Sequence, residues 1–333
     1  MKNYKLAIVG ATGVVGQTIL KVLEERKLPI SDYFLFASSK SAGKKVNFMD
    51  KEYEIQELTE HSFDDHIDFA IFSAGGDTAK KYAPIAALKG CIVIDNSNAF
   101  RMDKDVPLVV PEVNPEEIKN HNGIISNPNC STIQAMVALK PLDDKYGIKR
   151  IIYSTYQAVS GAGSKGIHDL ENGIISYLIK EQYNLEKFNY PIFNNCIPHI
   201  DVFLENGYTK EEQKMINETR KILKKPDLKV TATTVRVPVF NSHSESINIE
   251  FEKDFDLNEL KQTLKNSPSI NLVDDIQNNI YPIPTNVSGK DSVFIGRIRR
   301  DYSVISGVNL WVVADNIRKG AATNAVQILE HLI

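Results

Sequence analysis

The hydrophobic residues in the first third of the chain fall into short runs. Four-residue apolar runs at residues 6–9, 33–36, 69–72 and 91–94 predict buried strands. Between the first two runs, residues 18–26 carry apolar side chains at helical spacing. Because buried strands alternate with helices, we expect an α/β domain with a doubly wound parallel sheet.

The pattern changes after residue 140. Five later segments alternate apolar and polar side chains, which is typical of strands with one buried face: residues 150–157, 229–239, 246–251, 292–298 and 308–314. We expect them to form a second, α+β domain with antiparallel pairing. A last helix, residues 317–332, is expected to return to the first sheet. The predicted domains are therefore residues 1–128 with 316–333, and residues 129–315.

The first predicted strand ends in a glycine-rich turn, residues 10–16. A strand, a glycine turn and a helix in this order are typical of a Rossmann-type dinucleotide site, because glycine lets the backbone approach a pyrophosphate at the helix N-terminus. The spacing Gly-x-x-Gly-x-x-Gly differs from the commoner pattern, and an ordinary tight turn is the alternative. We assign cofactor contacts to Gly10, Thr12, Gly13, Val14 and Val15.

No acidic residue follows the second predicted strand. An NAD site normally has an Asp or Glu there for the ribose 2′-hydroxyl, whereas hydroxyls and a cation suit a 2′-phosphate. We therefore predict NADP, held by Ser38, Lys40 and Ser41; a solvated loop is the alternative. Ser73 and Gly75, at the carboxyl end of the next strand, are expected to lie at the same ligand crevice.

The composition and charge of the chain indicate which kinds of binding partner to expect. The chain has 333 residues, 42% of them hydrophobic, and a net charge of −3 without a long basic run. This disfavours nucleic acid and anionic membrane surfaces and favours a small-molecule substrate. No apolar run approaches the length of a membrane span. Three separated cysteines, without a Cys-x-x-Cys pair, fit a reducing cytoplasm and offer no metal site.

Cys130 is the candidate nucleophile. Asn127-Pro128-Asn129 is typical of a turn, and the apolar residues that follow predict a buried helix beginning near Cys130. A thiolate at a helix N-terminus is stabilised by unsatisfied N–H groups and the helix dipole. The alternative is a small buried hydrophobic residue, which is how most free cysteines behave.

The remaining candidate site residues are polar groups that follow or interrupt the other predicted strands. Arg101 follows a strand of the first sheet, with a surface ion pair as the alternative. A small-residue loop, residues 160–166, allows close backbone approach to a ligand. Arg236 and His243 lie seven positions apart, an odd number, so an unbroken strand would place them on opposite faces. They converge only if Pro238 or the turn at residues 241–242 interrupts the strand; His243 is expected in that polar turn.

A further helix is predicted from Thr209 to about residue 224. Thr209 and Glu212 have the spacing of a capping box, which gives Glu212 a structural role and leaves Glu211 for another. Lys214 lies three residues beyond Glu211. An exposed ion pair is the simplest interpretation of these two residues.

Taken together, these motifs resemble the bacterial type of aspartate-β-semialdehyde dehydrogenase. The resemblance runs nearly end to end and rests on the glycine turn, Phe72-Ser73-Ala74-Gly75, residues 127–132, residues 157–163, and Arg236 with His243. It implies NADPH-dependent reductive dephosphorylation of L-aspartyl 4-phosphate to the semialdehyde, a step toward lysine, threonine and methionine. It also implies a homodimer, sometimes a tetramer.

The resemblance also implies roles for individual residues. Cys130 would form an acyl-enzyme thioester, Gln157 would orient it, and His243 would be the acid/base. Arg236 would bind the substrate α-carboxylate and Glu211 the α-ammonium. The phosphate would be held by Arg101, Asn129 and Lys214, and the nicotinamide end of NADP by Ser160, Gly161 and Asn316.

Lys40 departs from the family pattern. It stands where relatives often carry arginine, which keeps the charge but weakens a bidentate hold on the 2′-phosphate.

Three rival functions remain. An N-acetyl-γ-glutamyl-phosphate reductase has similar chemistry, but its substrate lacks the ammonium that Glu211 would bind. A glyceraldehyde-3-phosphate dehydrogenase fits less well, because the acidic residue of an NAD site is missing. A non-catalytic NADP-binding sensor would not need Cys130, Gln157 and His243.

Overall fold

The computed structural model describes residues 3–333, which form two compact units. The first unit runs to Asn129 and includes Ala321–Ile333, and the second is Cys130–Gly320. The helices are α1 Val14–Arg26, α2 Gly76–Leu88, α3 Cys130–Tyr146, α4 Ser164–Ile179, α5 Lys210–Ile222, α6 Leu257–Lys265, α7 Pro284–Val287 and α8 Thr323–Glu330. The strands are β1 Tyr4–Val9, β2 Ile30–Ala37, β3 Lys45–Phe48, β4 Lys51–Glu54, β5 Gln56–Glu57, β6 Phe69–Phe72, β7 Ile92–Asp95, β8 Ile124–Ser126, β9 Ile148–Gln157, β10 Lys229–Arg236, β11 His243–Phe251, β12 Ile270–Leu272, β13 Val293–Asp301 and β14 Gly307–Ala314.

The first unit is built on a six-stranded sheet with the order β5-β2-β1-β6-β7-β8. Every neighbouring pair in it is parallel. The order reverses at β1, and the strands on both sides of it end at the same edge, where doubly wound sheets bind ligands. The predicted α/β fold class is confirmed. β3 and β4 form a separate antiparallel hairpin.

Both faces of this sheet are buried, which explains the uninterrupted apolar runs in the sequence. Leu6 and Ile8 of β1 point to one face and pack in a cluster with apolar residues of α1 and α8. Ala7 and Val9 point to the other face and share a cluster with alanines of α2. Burial of each large aliphatic side chain contributes roughly 1.5–3 kcal/mol, so these two clusters hold the strand ends in place.

The second unit contains a mixed six-stranded sheet with the order β10-β9-β11-β14-β13-β12. β11 is antiparallel to both β9 and β14, and β13 is antiparallel to β14. β10 is parallel to β9, and β12 is parallel to β13. The α+β character is confirmed, and the expected antiparallel pairing holds for three of the five neighbouring pairs, the β9–β10 and β12–β13 pairs being parallel. The parallel β9–β10 pair makes both strands end at the same level.

α3 is buried on nearly all sides, as its composition predicts: Ser131 to Leu139 are all buried. Pro141 does not end this helix, as the sequence suggested, but lies inside it. Proline removes only one intrahelical hydrogen bond, and the packed surroundings sustain the helix through it. The helix ends at Tyr146, before Gly147 with its positive φ of 68°.

Two other predicted boundaries differ from the structure. The strand predicted at 229–239 ends at Arg236, ahead of Pro238, whose lack of an N–H removes it from a ladder. The last regular helix, α8, begins at Thr323 instead of residue 317, after a π-helical turn at Arg318–Ala322. The predicted domain limit at residues 315/316 stays a prediction, because compact units need not coincide with functional domains. No helix within residues 3–333 has the length and apolar character to cross a bilayer.

Gly10→Ala is expected to destabilise the first unit more than Gly43→Ala. Both glycines have positive φ, 89° and 80°, so both substitutions carry a similar backbone strain of about 1–2 kcal/mol. A Cβ at residue 10 would lie 2.4 Å from the carbonyl oxygen of Ser73, whereas one at residue 43 meets nothing within 4 Å. The added overlap at residue 10 costs about 1–3 kcal/mol. Urea unfolding midpoints measured by circular dichroism give the comparison, and equal midpoints would contradict it.

Candidate active site

Cys130 is the first residue of α3 and of the second unit. Its side chain is only partly exposed. The chain at Gly320 passes so close that a Cβ there would lie 2.8 Å from the Cβ of Cys130. The predicted position of the thiol at a helix N-terminus is confirmed. It is the environment that favours a thiolate.

Three strand ends of the second sheet bring the other candidates together. β9 lies between β10 and β11, and its last residue, Gln157, pairs in register with Arg236, the last residue of β10. On the opposite side of β9, β11 begins at His243. His243 therefore starts a strand instead of lying in the polar turn, as the sequence suggested. The predicted interruption between Arg236 and His243 is confirmed, because residues 237–242 carry the chain across the end of β9.

Gln157 connects α3 to α5. Its amide nitrogen donates to Ser131 Oγ at 2.6 Å and to Glu211 Oε1 at 3.2 Å. Since Ser131 follows Cys130 directly, these bonds fix Gln157 relative to the start of α3. A buried amide with both contacts satisfied is held in one orientation.

Glu211 lies in the first turn of α5, and the predicted capping box of Thr209 and Glu212 is present. Glu211 is 6% exposed, and its Oε2 lies 3.1 Å from Lys214 Nζ, which also reaches Asp201 at 2.7 Å. The exposed ion pair suggested by the sequence was wrong, because the pair is largely buried. Buried carboxylates are held by such partners, so Glu211 presents a fixed negative charge to the site.

Arg236 brings a positive charge into the same interior. Its Nη1 donates to the carbonyl oxygen of Ala158 at 2.6 Å, and its guanidinium lies 5.9 Å from the ring centre of Phe188. Burial lowers the pKa of Arg236, and Glu211 and Cys130 act in the opposite direction. Within residues 3–333, its buried Nε has no hydrogen-bond partner. A guanidinium stays protonated in proteins, so Arg236 can bind an anion through its remaining fork.

His243 is fully buried beside Arg236. The backbone N–H of Ala158 donates to its Nδ1 at 3.0 Å. Burial, and then the charge of Arg236, lowers the pKa of His243 well below its usual value of 6.5. Its ring is therefore neutral at physiological pH.

Gly161 leaves room beside both side chains. A Cβ at residue 161 would lie 3.0 Å from Arg236 Nη1 and 3.1 Å from His243 Nε2. The absence of a side chain at this position keeps the space next to both polar groups accessible. The expectation that this loop permits close approach of a ligand agrees with that geometry.

Ser160 and Asn316 hold the turn that precedes His243. Asn316 Oδ1 accepts a hydrogen bond from the backbone N–H of Ser242 at 2.9 Å, and its Nδ2 donates to Ser160 Oγ at 3.0 Å. Ser242 has a φ of 74°, which is unusual for serine and is sustained by these contacts. The predicted cofactor roles of Ser160 and Asn316 stay predictions.

The glycine turn of the first unit has the local geometry that binds a dinucleotide. Gly13 precedes α1, whose first residues are Val14 and Val15, and no side chain caps that end, so the N–H groups of the first turn can receive an anion. Gly10 allows the turn to approach the carbonyl oxygen of Ser73. A Cβ at residue 16 would lie 2.1 Å from the carbonyl oxygen of Gly10. The glycines at positions 10 and 16 are therefore required by close packing, and the cradle fits a pyrophosphate.

The other predicted cofactor residues surround this edge of the first sheet. Ser38 and Lys40 are exposed in a turn after β2, where the backbone N–H of Ser41 donates to the carbonyl oxygen of Ser38 at 2.8 Å. Gly75 precedes α2 with a φ of 87°, and Thr12 is exposed. Ser38, Lys40, Gly75 and Thr12 are therefore accessible to a ligand.

Arg101 is 7% exposed in the first unit. Its Nε donates to the carbonyl oxygen of Asn127 at 2.9 Å, and its Nη2 donates to that of Asn96 at 2.9 Å. The alternative of a surface residue was wrong. Asn129, the last residue of this part of the first unit, is also buried. The phosphate contacts of Arg101 and Asn129 stay predictions.

Sequence reasoning missed several supporting groups. Ala158 binds both Arg236 and His243 through its backbone, which no side-chain pattern reveals. Asp169 of α4 is fully buried and accepts three backbone N–H bonds from residues 186–188, including that of Phe188. Glu245, two residues after His243, is also fully buried. Its position within an alternating strand was the signal that could have found it.

Comparison with known proteins covers the whole chain. A family model for the NAD-binding domain of semialdehyde dehydrogenases matches residues 5–121, and one for their dimerisation domain matches residues 139–319. Aspartate-semialdehyde dehydrogenase of Aquifex aeolicus is 56% identical, over 99% of this chain and 98% of the relative. The crystal structure of aspartate-semialdehyde dehydrogenase II from Vibrio cholerae complexed with ASA has a TM-score of 0.95 and 47% identity, covering 100% of this chain and 98% of that one. A structure from Candida albicans with NADP has a TM-score of 0.77 and 27% identity, covering 99% and 98% of the two chains.

Glu245→Gln is expected to increase the free energy of unfolding progressively as the pH rises above 4.5. Burial raises the pKa of Glu245 well above its ordinary 4.5, and hydrogen bonding from Ser131 and Gln134 only partly opposes this. Between 4.5 and the raised value the unfolded carboxyl ionises while the folded one stays protonated, so the wild type loses stability with rising pH, by up to about 1.4 kcal/mol per pH unit. Glutamine has no such ionisation.

The chain's one tryptophan offers a local measurement of that difference. Trp311 lies on β14 opposite Ser246, next to Glu245, so its fluorescence reports unfolding of the second unit. Urea unfolding at pH values from about 5 to 8 covers a range above the ordinary pKa of 4.5, in which the raised pKa of folded Glu245 makes the two proteins diverge. A difference between variant and wild type that stays constant over this range would contradict the burial of a neutral carboxyl.

Proposed function

The chain belongs to the family of aspartate-semialdehyde dehydrogenases, and we propose that Cys130 carries the thiol chemistry of that activity. The activity is the NADPH-dependent reductive dephosphorylation of L-aspartyl 4-phosphate to L-aspartate 4-semialdehyde, in lysine, threonine and methionine biosynthesis. The observation that carries our proposal is the convergence of Gln157, Arg236 and His243 at three strand ends, with Gln157 bonded to the residue after Cys130.

The thiolate of Cys130 attacks the acyl carbon of the substrate, and phosphate leaves to give a thioester. The positive field of Arg236, which is coupled to Cys130, and the N-terminus of α3 favour the thiolate over the thiol. Gln157 orients the acyl group, since its own amide is held by Ser131 and Glu211. We assign His243 as the acid/base that acts on the carbonyl oxygen of the same group.

Two opposite charges recognise the amino-acid part of the substrate. The fork of Arg236 binds the α-carboxylate, because its buried Nε has no other partner in residues 3–333. Glu211 binds the α-ammonium, and its contact with Lys214 fixes the carboxylate for this purpose. We assign the phosphate to Arg101, Asn129 and Lys214, with inorganic phosphate as the second small-molecule ligand.

NADP is assigned to the first unit, within a functional domain of residues 1–128 and 316–333; the catalytic domain comprises residues 129–315. The glycine turn holds the pyrophosphate, Ser38, Lys40 and Ser41 hold the 2′-phosphate, and Ser73 and Gly75 border the crevice. Ser160, Gly161 and Asn316 are assigned to the nicotinamide end. When bound, the reduced cofactor supplies the hydride for the thioester.

A homodimer is the proposed assembly, and a tetramer is the alternative. The dimerisation-domain match at residues 139–319 supports it. Residues of β9 alternate, so that Gln157 faces the active site while Tyr156 points away and is 40% exposed. Tyr156 packs on Trp311 and borders an open pocket of about 580 Å³ on this uncovered face of the sheet. Cys130 forms no disulfide, which fits the reducing cytoplasm that we propose as the location.

Two rival functions make different predictions. An N-acetyl-γ-glutamyl-phosphate reductase has no substrate ammonium for Glu211 to bind, so it would turn over the N-acetylated glutamate semialdehyde in preference to the aspartate compound. A non-catalytic NADP-binding sensor would turn over neither. Phosphate-dependent reduction of NADP and of NAD with both semialdehydes separates all three and measures the cofactor preference.

Cys130→Ala is expected to abolish phosphate-dependent reduction of NADP by aspartate semialdehyde, while NADP binding stays close to that of the wild type. The thiolate is the nucleophile, whereas the proposed NADP contacts lie elsewhere. Cys196→Ala is the matched control, because Cys196 is an exposed cysteine of the same unit and should leave turnover unchanged. Substantial turnover by the Cys130 variant would refute the thioester mechanism.

Glu211→Gln is expected to raise KM for aspartate semialdehyde about 10-fold to 100-fold, from the loss of one charge-assisted contact with the ammonium. KM for phosphate should change less. Asp201→Asn is the control, since Asp201 binds the same Lys214 without being assigned to substrate. If Asp201→Asn reproduces the effect, or if both KM values rise equally in the Glu211 variant, the assignment of the ammonium site is wrong.

A further inference from the structure

We propose that Phe188 is a specificity-determining residue, because its ring covers the Arg236 guanidinium and strengthens the binding of substrates that carry an α-carboxylate. Asp169 of α4 is the positioning residue that holds Phe188 over this cation. The inference rests on the proposed function, in which Arg236 binds the α-carboxylate, and it adds two residues to that site.

The first observation is the contact between an aromatic ring and a buried cation. Phe188 is half-buried, and Arg236 Cζ lies 5.9 Å from the centre of its ring. Arg236 is itself 6% exposed. A guanidinium is attracted to the face of an aromatic ring, and more strongly where water is excluded. The ring therefore offsets part of the cost of burying this charge.

The ring also leaves N–H donors of Arg236 available for a ligand. An aromatic face attracts the cation as a whole, whereas a carboxylate partner would occupy the planar fork. Nη1 donates to the carbonyl oxygen of Ala158, and within residues 3–333 the buried Nε has no hydrogen-bond partner. Exclusion of water on the side of the ring strengthens the attraction between the guanidinium and a bound carboxylate.

Phe188 is held in place by a buried carboxylate. Asp169 is fully buried, and its Oδ1 accepts from the backbone N–H of Glu186 at 2.8 Å. Its Oδ2 accepts from the N–H groups of Lys187 at 2.9 Å and Phe188 at 3.0 Å. A buried charge requires such partners, and charge-assisted bonds are stronger than neutral ones. The backbone at Phe188 is therefore fixed to α4.

The face of α4 that carries Asp169 lets the chain approach closely. Four residues at helical spacing are buried on this face: Gly166, Asp169, Leu170 and Gly173. A Cβ at residue 166 would lie 3.3 Å from Phe188 Cζ, and one at residue 173 would lie 2.8 Å from the Cβ of Phe193. The two glycines thus allow residues 188–193 to lie directly against the helix.

The same part of the chain also pairs with the backbone of Arg236. The N–H of Ile197 donates to the carbonyl oxygen of Arg236 at 2.9 Å, and the N–H of Arg236 donates to that of Ile197 at 2.8 Å. Phe188 and Ile197 belong to one apolar cluster, which includes Val159 and Leu170. The ring and the cation beneath it are therefore positioned by one continuous segment, residues 186–197.

The proposed ammonium site is held by other residues. Glu211 is bound by Lys214 at 3.1 Å and by Gln157 at 3.2 Å, and neither belongs to residues 186–197. A change at Phe188 should therefore affect recognition of the α-carboxylate and leave recognition of the α-ammonium intact. This difference distinguishes a specificity role from a general contribution to packing.

Three aldehydes test that difference in the phosphate-dependent reduction of NADP. Aspartate semialdehyde carries both charged groups, succinic semialdehyde lacks the ammonium, and 3-aminopropanal lacks the carboxylate. If an aldehyde is turned over too slowly to measure, its inhibition constant against aspartate semialdehyde replaces kcat/KM in the comparison.

Phe188→Leu keeps an apolar side chain and removes the ring. We expect kcat/KM to fall about 2-fold to 30-fold for the two aldehydes with a carboxylate, mainly through KM. The value for 3-aminopropanal should stay within about twofold of the wild type, as should KM for phosphate. A loss that 3-aminopropanal shares equally, or no loss with the two carboxylates, would overturn the proposal.

Phe193→Leu is the matched control. Phe193 packs on the same apolar cluster, with its ring centre 5.2 Å from that of Tyr177, and therefore removes a ring from the same segment away from Arg236. It should not distinguish between the three aldehydes. If Phe193→Leu produces the same selective loss as Phe188→Leu, the effect belongs to packing of the segment and the proposal fails.

Asp169→Asn tests the positioning role. Because Asp169 acts through Phe188, the variant should show the same selective loss, and the double variant with Phe188→Leu should lose no more than the larger single loss. Losses that multiply would refute this role. Hydrogen exchange of the wild type gives a second measurement that does not depend on folding of the variant. Amides of residues 186–188 should exchange more slowly than those of the exposed Asn184 and Leu185, and equal rates would refute anchoring by Asp169.

The outcomes separate this inference from the proposed function. If the wild type does not reduce NADP with aspartate semialdehyde and phosphate, the proposed function fails. If the wild type is active and Phe188→Leu, shown to be folded by circular dichroism, does not discriminate by the carboxylate, the role of Phe188 fails and the proposed function stands.

Discussion

The buried charge of Arg236 is the constraint to which the rest of the second unit responds. A guanidinium removed from water is costly unless its surroundings supply hydrogen bonds and opposite charge. Here the carbonyl oxygen of Ala158 takes one N–H, and Glu211 and Cys130 supply negative charge or the capacity for it. The ring of Phe188 covers it, in a loop anchored by Asp169. An anion bound at the remaining N–H donors of Arg236 would offset the rest of the cost of burying its charge. Substrate binding therefore stabilises the buried guanidinium.

The strand order explains why these residues meet. Gln157, Arg236 and His243 belong to three neighbouring strands, and the parallel β9–β10 pair lets Arg236 and Gln157 end side by side. Because β11 starts again on the far side of β9, the odd separation of Arg236 and His243 along the chain does not matter. The sequence could identify each of these side chains as chemically notable. Pro238 indicated a possible break in the strand, but the sequence could not show the convergence itself, since that follows from pairings between distant segments.

Local rules predicted other parts of the structure well. The glycine turn, the capping box on α5 and the buried start of α3 depend on residues within a few positions of one another, and all are present. The failures involve competition with tertiary packing. Pro141 stays inside α3 because the buried helix continues around it, and the exposed pair expected for Glu211 is buried because α5 packs against the sheet. Ala158 could not be found at all, since its contribution is a backbone N–H and carbonyl at a strand end.

The two ionisable groups at the start of β11 show how this site limits its own charge. Burial raises the pKa of Glu245 and lowers that of His243, so both shifts favour uncharged forms that neither add to nor cancel the charge of Arg236. An imidazolium beside the guanidinium would place two cations in one desolvated site, and would require Ala158 N–H to give up its acceptor. A carboxylate at Glu245 would weaken the positive field that favours the thiolate. Favouring the uncharged form of both groups leaves Arg236 to stabilise anions. The backbone N–H of Ala158 thus favours the neutral tautomer of His243 that accepts at Nδ1.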